Sequence, residues 1–178
     1  MSTYRVAEPV IQPADSASTK KRPLATEPAE AFRFSYPDES NDAEALLVHP
    51  KTGRFYIVTK TTFSSPEVFA GDLTDSSTVT ALTRIGSLDL PSFFGGIITG
   101  GAISPDARRV ALCDYFQGYE IVLPNGEMNF DRIWKQPIKT IAIGKRSQGE
   151  AISYRLDGKA LLMTSEGIPA PLIQIERQ

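Results

Sequence analysis

A chain of 178 residues, 41% hydrophobic and 22% charged, has the size and make-up of one globular domain with a real core. Its 19 basic and 21 acidic residues leave a formal charge of −2, which argues against a nucleic-acid partner, because phosphate neutralisation calls for a basic excess. A single cysteine, Cys113, rules out an intrachain disulfide, and no run approaches the ~18 apolar residues of a membrane-spanning helix.

Residues 1–31 read as an extended proline-rich tail, with Pro9, Pro13, Pro23 and Pro28, a Ser/Thr/Ala mixture and the basic triplet Lys20-Lys21-Arg22. Few large apolar side chains are available there to offset the entropy of ordering. Two fates are open to it, a solvated arm or an arm ordered against another subunit. The first residues lack the apolar core of a secretory signal, so a cytoplasmic location is expected if Met1 is the natural start.

From Phe32 onward the pattern changes to short strands between turn residues. Ala45-Leu46-Leu47-Val48, Phe55-Tyr56-Ile57-Val58, Val110-Ala111-Leu112, Glu120-Ile121-Val122-Leu123, Thr140-Ile141-Ala142-Ile143 and Ala160-Leu161-Leu162-Met163 are too short for helices and are bounded by Gly, Pro, Asn and Asp. The fold class is therefore all-β. Cys113, at the end of the run from Val110, is expected to behave as a small buried hydrophobe.

Three segments share one grammar: a small-residue entry, an apolar strand, a polar turn, a basic residue and a second apolar strand. They cover residues 42–58, 100–112 and 149–162. The basic residues Arg54, Arg108 and Lys159 fall 54 and 51 positions apart, the spacing of four-stranded propeller blades. The small entry residues suit inner strands that converge on an axis, as do Gly95-Gly96 and Gly100-Gly101. The expected architecture is a partial β-propeller of residues 32–178, with blades over about 42–90, 97–143 and 149–178. An immunoglobulin-like sandwich would use a similar number of strands but does not explain the repeated hairpin.

The third blade has only Pro171-Leu172-Ile173-Gln174-Ile175 beyond its hairpin, and Phe32-Arg33-Phe34-Ser35-Tyr36 is the expected substitute for its fourth strand. Three blades cannot close a ring, so the open flanks are expected to be apolar faces that need partners. Pairing of two copies into six blades, or docking on a different protein, would satisfy them.

Ser35-Tyr36-Pro37-Asp38 with Asn41 to Val48, then Thr99 to Asp106, then Gln148 to Ile152, resemble in order the segments YPDG…DAEALLVDP, TGADISPDGRRVA and GEAI…DG of a family of bacterial propeller-like proteins. That family is distantly similar to esterase-like phytase and other six-bladed propellers. The resemblance implies the C-terminal half of a propeller and leaves export open. Two positions depart from it, with Ala102 in place of an acid and Ala107 in place of a turn glycine.

The site candidates are carboxylates at strand entries, Asp42, Glu44 and Glu150. Clustered carboxylates can hold Ca²⁺ or shift one another's pKa, although Ca²⁺ takes about six to eight oxygens and this chain offers few; capping of backbone amides at blade junctions is the competing role. Asp38, Glu39 and Asn41 read as a solvated turn. His49, before Pro50 in a hairpin turn, is expected at the surface; with one Cys and one His, zinc is unsupported, and no Gly-x-Ser-x-Gly nucleophile turn occurs. The aromatics Phe93, Phe94, Phe116, Tyr119 and Trp134 are candidates for a partner face, with inter-blade core as the alternative. Two functions fit. One is a non-catalytic binding or scaffold subunit with a protein partner or a second copy and no cofactor. The other is a metal-assisted hydrolase of the esterase-like phytase type, active as a closed dimeric ring with calcium.

Overall fold

The computed structural model describes residues 1–91, 96–144 and 148–177. It is all-β, with four antiparallel-rich sheets stacked one on the next and not closed into a ring. The first repeat is a four-stranded sheet in the order β3 (Ala43–Val48), β4 (Phe55–Thr59), β5 (Glu67–Gly71) and β7 (Thr83–Ser87). The second repeats it with β8 (Gly100–Ile103), β9 (Arg109–Cys113), β10 (Gly118–Val122) and β11 (Ile138–Ile141). The third has three strands, β12 (Gly149–Tyr154), β13 (Ala160–Ser165) and β14 (Ile173–Glu176).

The middle strands explain the unbroken apolar runs. In a strand, successive side chains point to opposite faces. On β4, Tyr56 and Val58 enter the core shared with the second sheet, while Phe55 and Ile57 enter a different core on the other face. On β9, Val110 and Leu112 face the first sheet, and Ala111 and Cys113 face the third. Burial on both sides requires hydrophobes at every position, each contributing about 1.5–3 kcal/mol for the larger side chains.

The entry strands converge as their small residues require. A Cβ on Gly100 would lie 2.8 Å from the Glu150 carbonyl oxygen of β12, and one on Gly101 would lie 3.1 Å from Leu47 of β3. Strand β8 is thus wedged between its two neighbours, and a side chain at Gly100 or Gly101 would force them apart.

The three hairpins close on one common bond, although the first turn carries its left-handed residue four positions after the donor of that bond and the other two carry it three after. The N–H of His49, Ser104 and Arg155 donates to the carbonyl five residues on, at Arg54, Arg109 and Ala160, over 2.8, 2.9 and 2.9 Å. Each turn needs one residue in the left-handed region: Gly53 at φ 74°, Ala107 at φ 60° and Gly158 at φ 69°. Side chains also hold the turns, with the Arg108 N–H donating to Asp106 Oδ1 at 3.0 Å and the Lys159 N–H to Asp157 Oδ1 at 2.9 Å.

The N-terminal part departs from expectation. Phe32–Tyr36 does not complete the third sheet. Strand β2 (Glu30–Ser35) pairs antiparallel with β1 (Ser2–Arg5) and parallel with β6 (Val79–Ala81), forming a fourth sheet at the opposite end of the stack. The reason is chemical: Phe32 and Phe34 pack onto Phe55, Ile57, Phe69 and Leu82, the far face of the first repeat, which would otherwise lie bare. The tail is therefore not uniformly an extended arm. Its first strand is tied down by Thr3, which is buried, by the Arg5–Glu30 ion pair at 2.6 Å and by Arg5 over the Phe32 ring at 5.0 Å.

The flanks are of mixed polarity rather than uniformly apolar. The outer face of the third sheet exposes Ala151, Ser153, Gln174 and Glu176 around a half-buried Leu162, and that of the N-terminal sheet exposes Ser2, Arg33 and Ser35 beside Tyr4, Ala31, Val79 and Ala81. The strands at the two ends alternate, with only one side committed to a core.

Candidate functional site

The strand entries gather at one end of the stack, opposite the hairpin turns. Glu44 and Glu150 occupy the same place in their repeats, five residues before His49 and Arg155, and Thr99 holds that place in the middle repeat. The pairing register shifts at both acids, between Ala43 and Ala45 on β3 and between Gly149 and Ala151 on β12. Each carboxylate therefore stands on a β-bulge, an irregularity that re-aims one side chain.

Their partners differ. Glu44 Oε1 accepts from Lys60 Nζ at 2.8 Å, and the same ammonium donates to the Tyr115 hydroxyl at 2.8 Å while lying 5.1 Å from that ring's centre. The hydrogen bonds to Glu44 first and Tyr115 second push the Lys60 amine well above its ordinary value, so it stays charged and is no base or nucleophile at neutral pH. The Tyr115 carbonyl accepts the Gly149 N–H at 2.9 Å, and Thr99 Oγ1 donates to the Gly149 carbonyl at 2.7 Å. One chain of contacts thus crosses all three repeats. Glu150 Oε1 accepts from Gln148 Nε2 at 2.7 Å. Asp42 accepts the Lys60 N–H on its own carbonyl at 2.8 Å, and burial first, with the Asp42 charge second, raises the Tyr36 hydroxyl above its usual pKa.

Among the described residues, no three His, Cys, Asp or Glu side chains come together at metal-binding distance. Asp42, Glu44 and Glu150 share one end of the molecule without forming a ligand cage, and a metal role for Glu44 would require breaking its pair with Lys60. Lys60 and Tyr115 carried no sequence signal, since they reach Glu44 only through the fold.

The remaining candidates are distributed by the core. His49 is buried rather than at the surface, with Nδ1 accepting the N–H groups of Lys51 and Thr52 at 3.3 and 3.2 Å. Tyr119 and Trp134 are buried between repeats, Cys113 is buried, and Phe116 is exposed. Phe93, Phe94 and Gly95 lie outside the described residues. At the hairpin end, Asp131 accepts from Arg54 Nε and Nη2 and from the Tyr56 hydroxyl, the last at 2.6 Å, and joins the first two repeats. Glu120 does the same for the second and third through the Tyr154 hydroxyl at 3.0 Å and Arg177 at 2.9 Å.

Two clefts adjoin between the N-terminal sheet and the first repeat, of about 440 and 600 Å³. Met1, Thr3 and Val6 line one side and Leu46 and Val48 the other. Leu46 and Val48 are 47% and 51% exposed, because β2 covers β4 and β5 but leaves the outward side chains of β3 uncovered.

No protein-family model matches the chain, and no curated protein sequence is significantly similar to it. Solved structures share the architecture. A provisionally assigned 6-phosphogluconolactonase of Bacteroides uniformis superimposes with TM-score 0.53 at 13% identity, over 90% of this chain and 46% of its own. Hydrazine synthase of Kuenenia stuttgartiensis gives 0.50 at 16% identity, over 85% and 37%. TolB of Acinetobacter baumannii gives 0.46 at 14%, over 78% and 31%. The class of protein is thus propeller-like, at identities that speak for the fold alone. The chain spans less than half the length of these structures. Among the described residues no helix is long and apolar enough to cross a membrane.

Proposed function

We propose that the chain is a non-catalytic binding subunit, corresponding to the C-terminal half of a propeller of the bacterial family its motifs resemble, that holds an extended apolar segment of a partner protein. The observation that carries this reading is the pair of adjoining clefts between β1 and β3. Their apolar walls run along a strand, a shape that suits an extended peptide with alternating large side chains. Leu46 and Val48 are spaced two apart on one face, as such a peptide would require.

The test is selection of peptides from a displayed library against the purified chain. Selected sequences are expected to alternate apolar and polar residues and to lose at least about tenfold in affinity on Leu46→Asp or Val48→Asp, roughly 1.4 kcal/mol. Peptides that bind both variants as well as the parent chain would refute the groove. So would selection of acidic or basic peptides that compete at Lys60 and Glu44.

A further inference from the structure

His49 and Trp134 are the only histidine and the only tryptophan of the chain, and they belong to one cluster. The His49 ring meets Phe130 edge to face at 4.7 Å, and Phe130 and Trp134 lie 5.6 and 5.3 Å from the Tyr56 ring. Phe130–Lys135 is a 3₁₀ turn inserted between β10 and β11, and its side chains Phe130, Ile133 and Trp134 are buried against the first repeat. His49 begins the hairpin turn on which that segment sits.

We propose that the His49 turn is a proton-sensitive latch: neutral, it fixes the hairpin at residues 49–54 and seats the Phe130–Lys135 segment, and protonated, it releases both. The argument is geometric. Nδ1 accepts two backbone N–H groups, so the folded form needs the lone pair there and the hydrogen on Nε2. A proton from solvent adds to that same lone pair. The acceptor becomes a donor facing two donors, both hydrogen bonds are lost, and a charge is placed against Phe130 in a site that is only 7% exposed.

The charged groups around the ring are Lys51 and Arg54 of the same hairpin, Asp131 of the inserted turn and, through Arg54, Asp72 beyond β5. Burial first and Lys51 second oppose protonation, while the backbone of His49 itself and then Asp131, already engaged by Arg54 and Tyr56, favour it. The balance holds His49 below its ordinary 6.5. The unfolded chain therefore takes up the proton first as pH falls. The latch contributes fully above about pH 6.5 and is lost progressively below it.

The test is an acid titration of the full chain, followed by the imidazole ¹⁵N shifts of His49, the emission of Trp134 and amide exchange at Lys51 and Thr52. One midpoint below 6.5 is expected for all three, with exchange protection at Lys51 and Thr52 falling at least about tenfold after correction for intrinsic rates, while β9 amides keep theirs. His49→Asn, whose Oδ1 can accept the same two N–H groups, is expected to fold and to lose the transition. A Trp134 change that persists in this variant assigns the transition to a group other than His49 and overturns the latch. Titration of His49 with no change in Trp134 emission or in Lys51 and Thr52 exchange overturns it as well. If His49→Asn does not fold, exchange in the unaltered chain decides.

Discussion

Ala107 illustrates how one residue records a departure from a repeat. The first and third hairpins meet their left-handed turn position with Gly53 and Gly158, and the second meets it with an alanine at φ 60°. A Cβ in that region costs about 1–2 kcal/mol, because it crowds the following carbonyl. Ala107→Gly is therefore expected to stabilise the chain by about 1 kcal/mol, part of the relief being offset by the greater freedom of glycine in the unfolded state. The measurement is a thermal melt, with a rise of about 2–4 °C for a domain of this size. His49 shows the converse. Its type and its place before a proline both suggested a surface turn, and only the fold reveals that Phe130, 81 positions later, closes over it.

At the scale of elements, β3, β4, β9, β10, β11 and β13 were legible because each carries a short apolar run between turn residues, and β8 and β12 because the repeated hairpin places a small-residue entry strand before its second strand. The two-core arrangement of β4 and β9 accounts for the density of their runs. Strands β1 and β6, Ser2-Thr3-Tyr4-Arg5 and Val79-Thr80-Ala81, were not legible. They are three or four residues long, and mostly polar or small. Their order comes from a neighbour, β2, which lies 25 or more residues from either pairing partner in sequence. The placement of β2 was misread for a related reason: an amphipathic strand signals that it needs a core but not which one. A double-mutant cycle separates the two placements. Phe34→Ala is expected to cost about 3–5 kcal/mol and to couple to Phe55→Ala by about 0.5–1.5 kcal/mol, since the rings meet edge to face at 4.9 Å. Addition without coupling in that pair, together with coupling between Phe34 and Met163 of the third repeat, would return β2 to the place the sequence suggested. The candidate site divides likewise. Glu44 and Glu150 could be picked out as acids at strand entries, whereas Lys60 and Tyr115 could not, because 16 and 71 positions separate them from Glu44 until the repeats stack.

The whole molecule is a row of similar layers, and a row raises a question that a single sheet does not: what stops it. Each inner layer is held by hydrophobes on both faces, as β4 and β9 show, so a layer with two such faces at either end would recruit another copy. Contacts of that head-to-tail kind do not close unless the rotation per layer happens to complete a circle, and otherwise they grow into fibres. Exposed Ser153, Gln174 and Glu176 at one end and Arg33 and Ser35 at the other disfavour such stacking, against the apolar Tyr4 and Val79 exposed beside the latter pair. Replacing Ser153, Gln174 and Glu176 together by leucine is expected to leave the chain folded at low concentration and to convert it, as concentration rises, into an open-ended series of oligomers in sedimentation velocity. A single discrete dimer in place of that series would mean that the layers can close on themselves. Polar side chains on an end face thus act on a stack of layers much as an end-blocking group acts on a growing polymer.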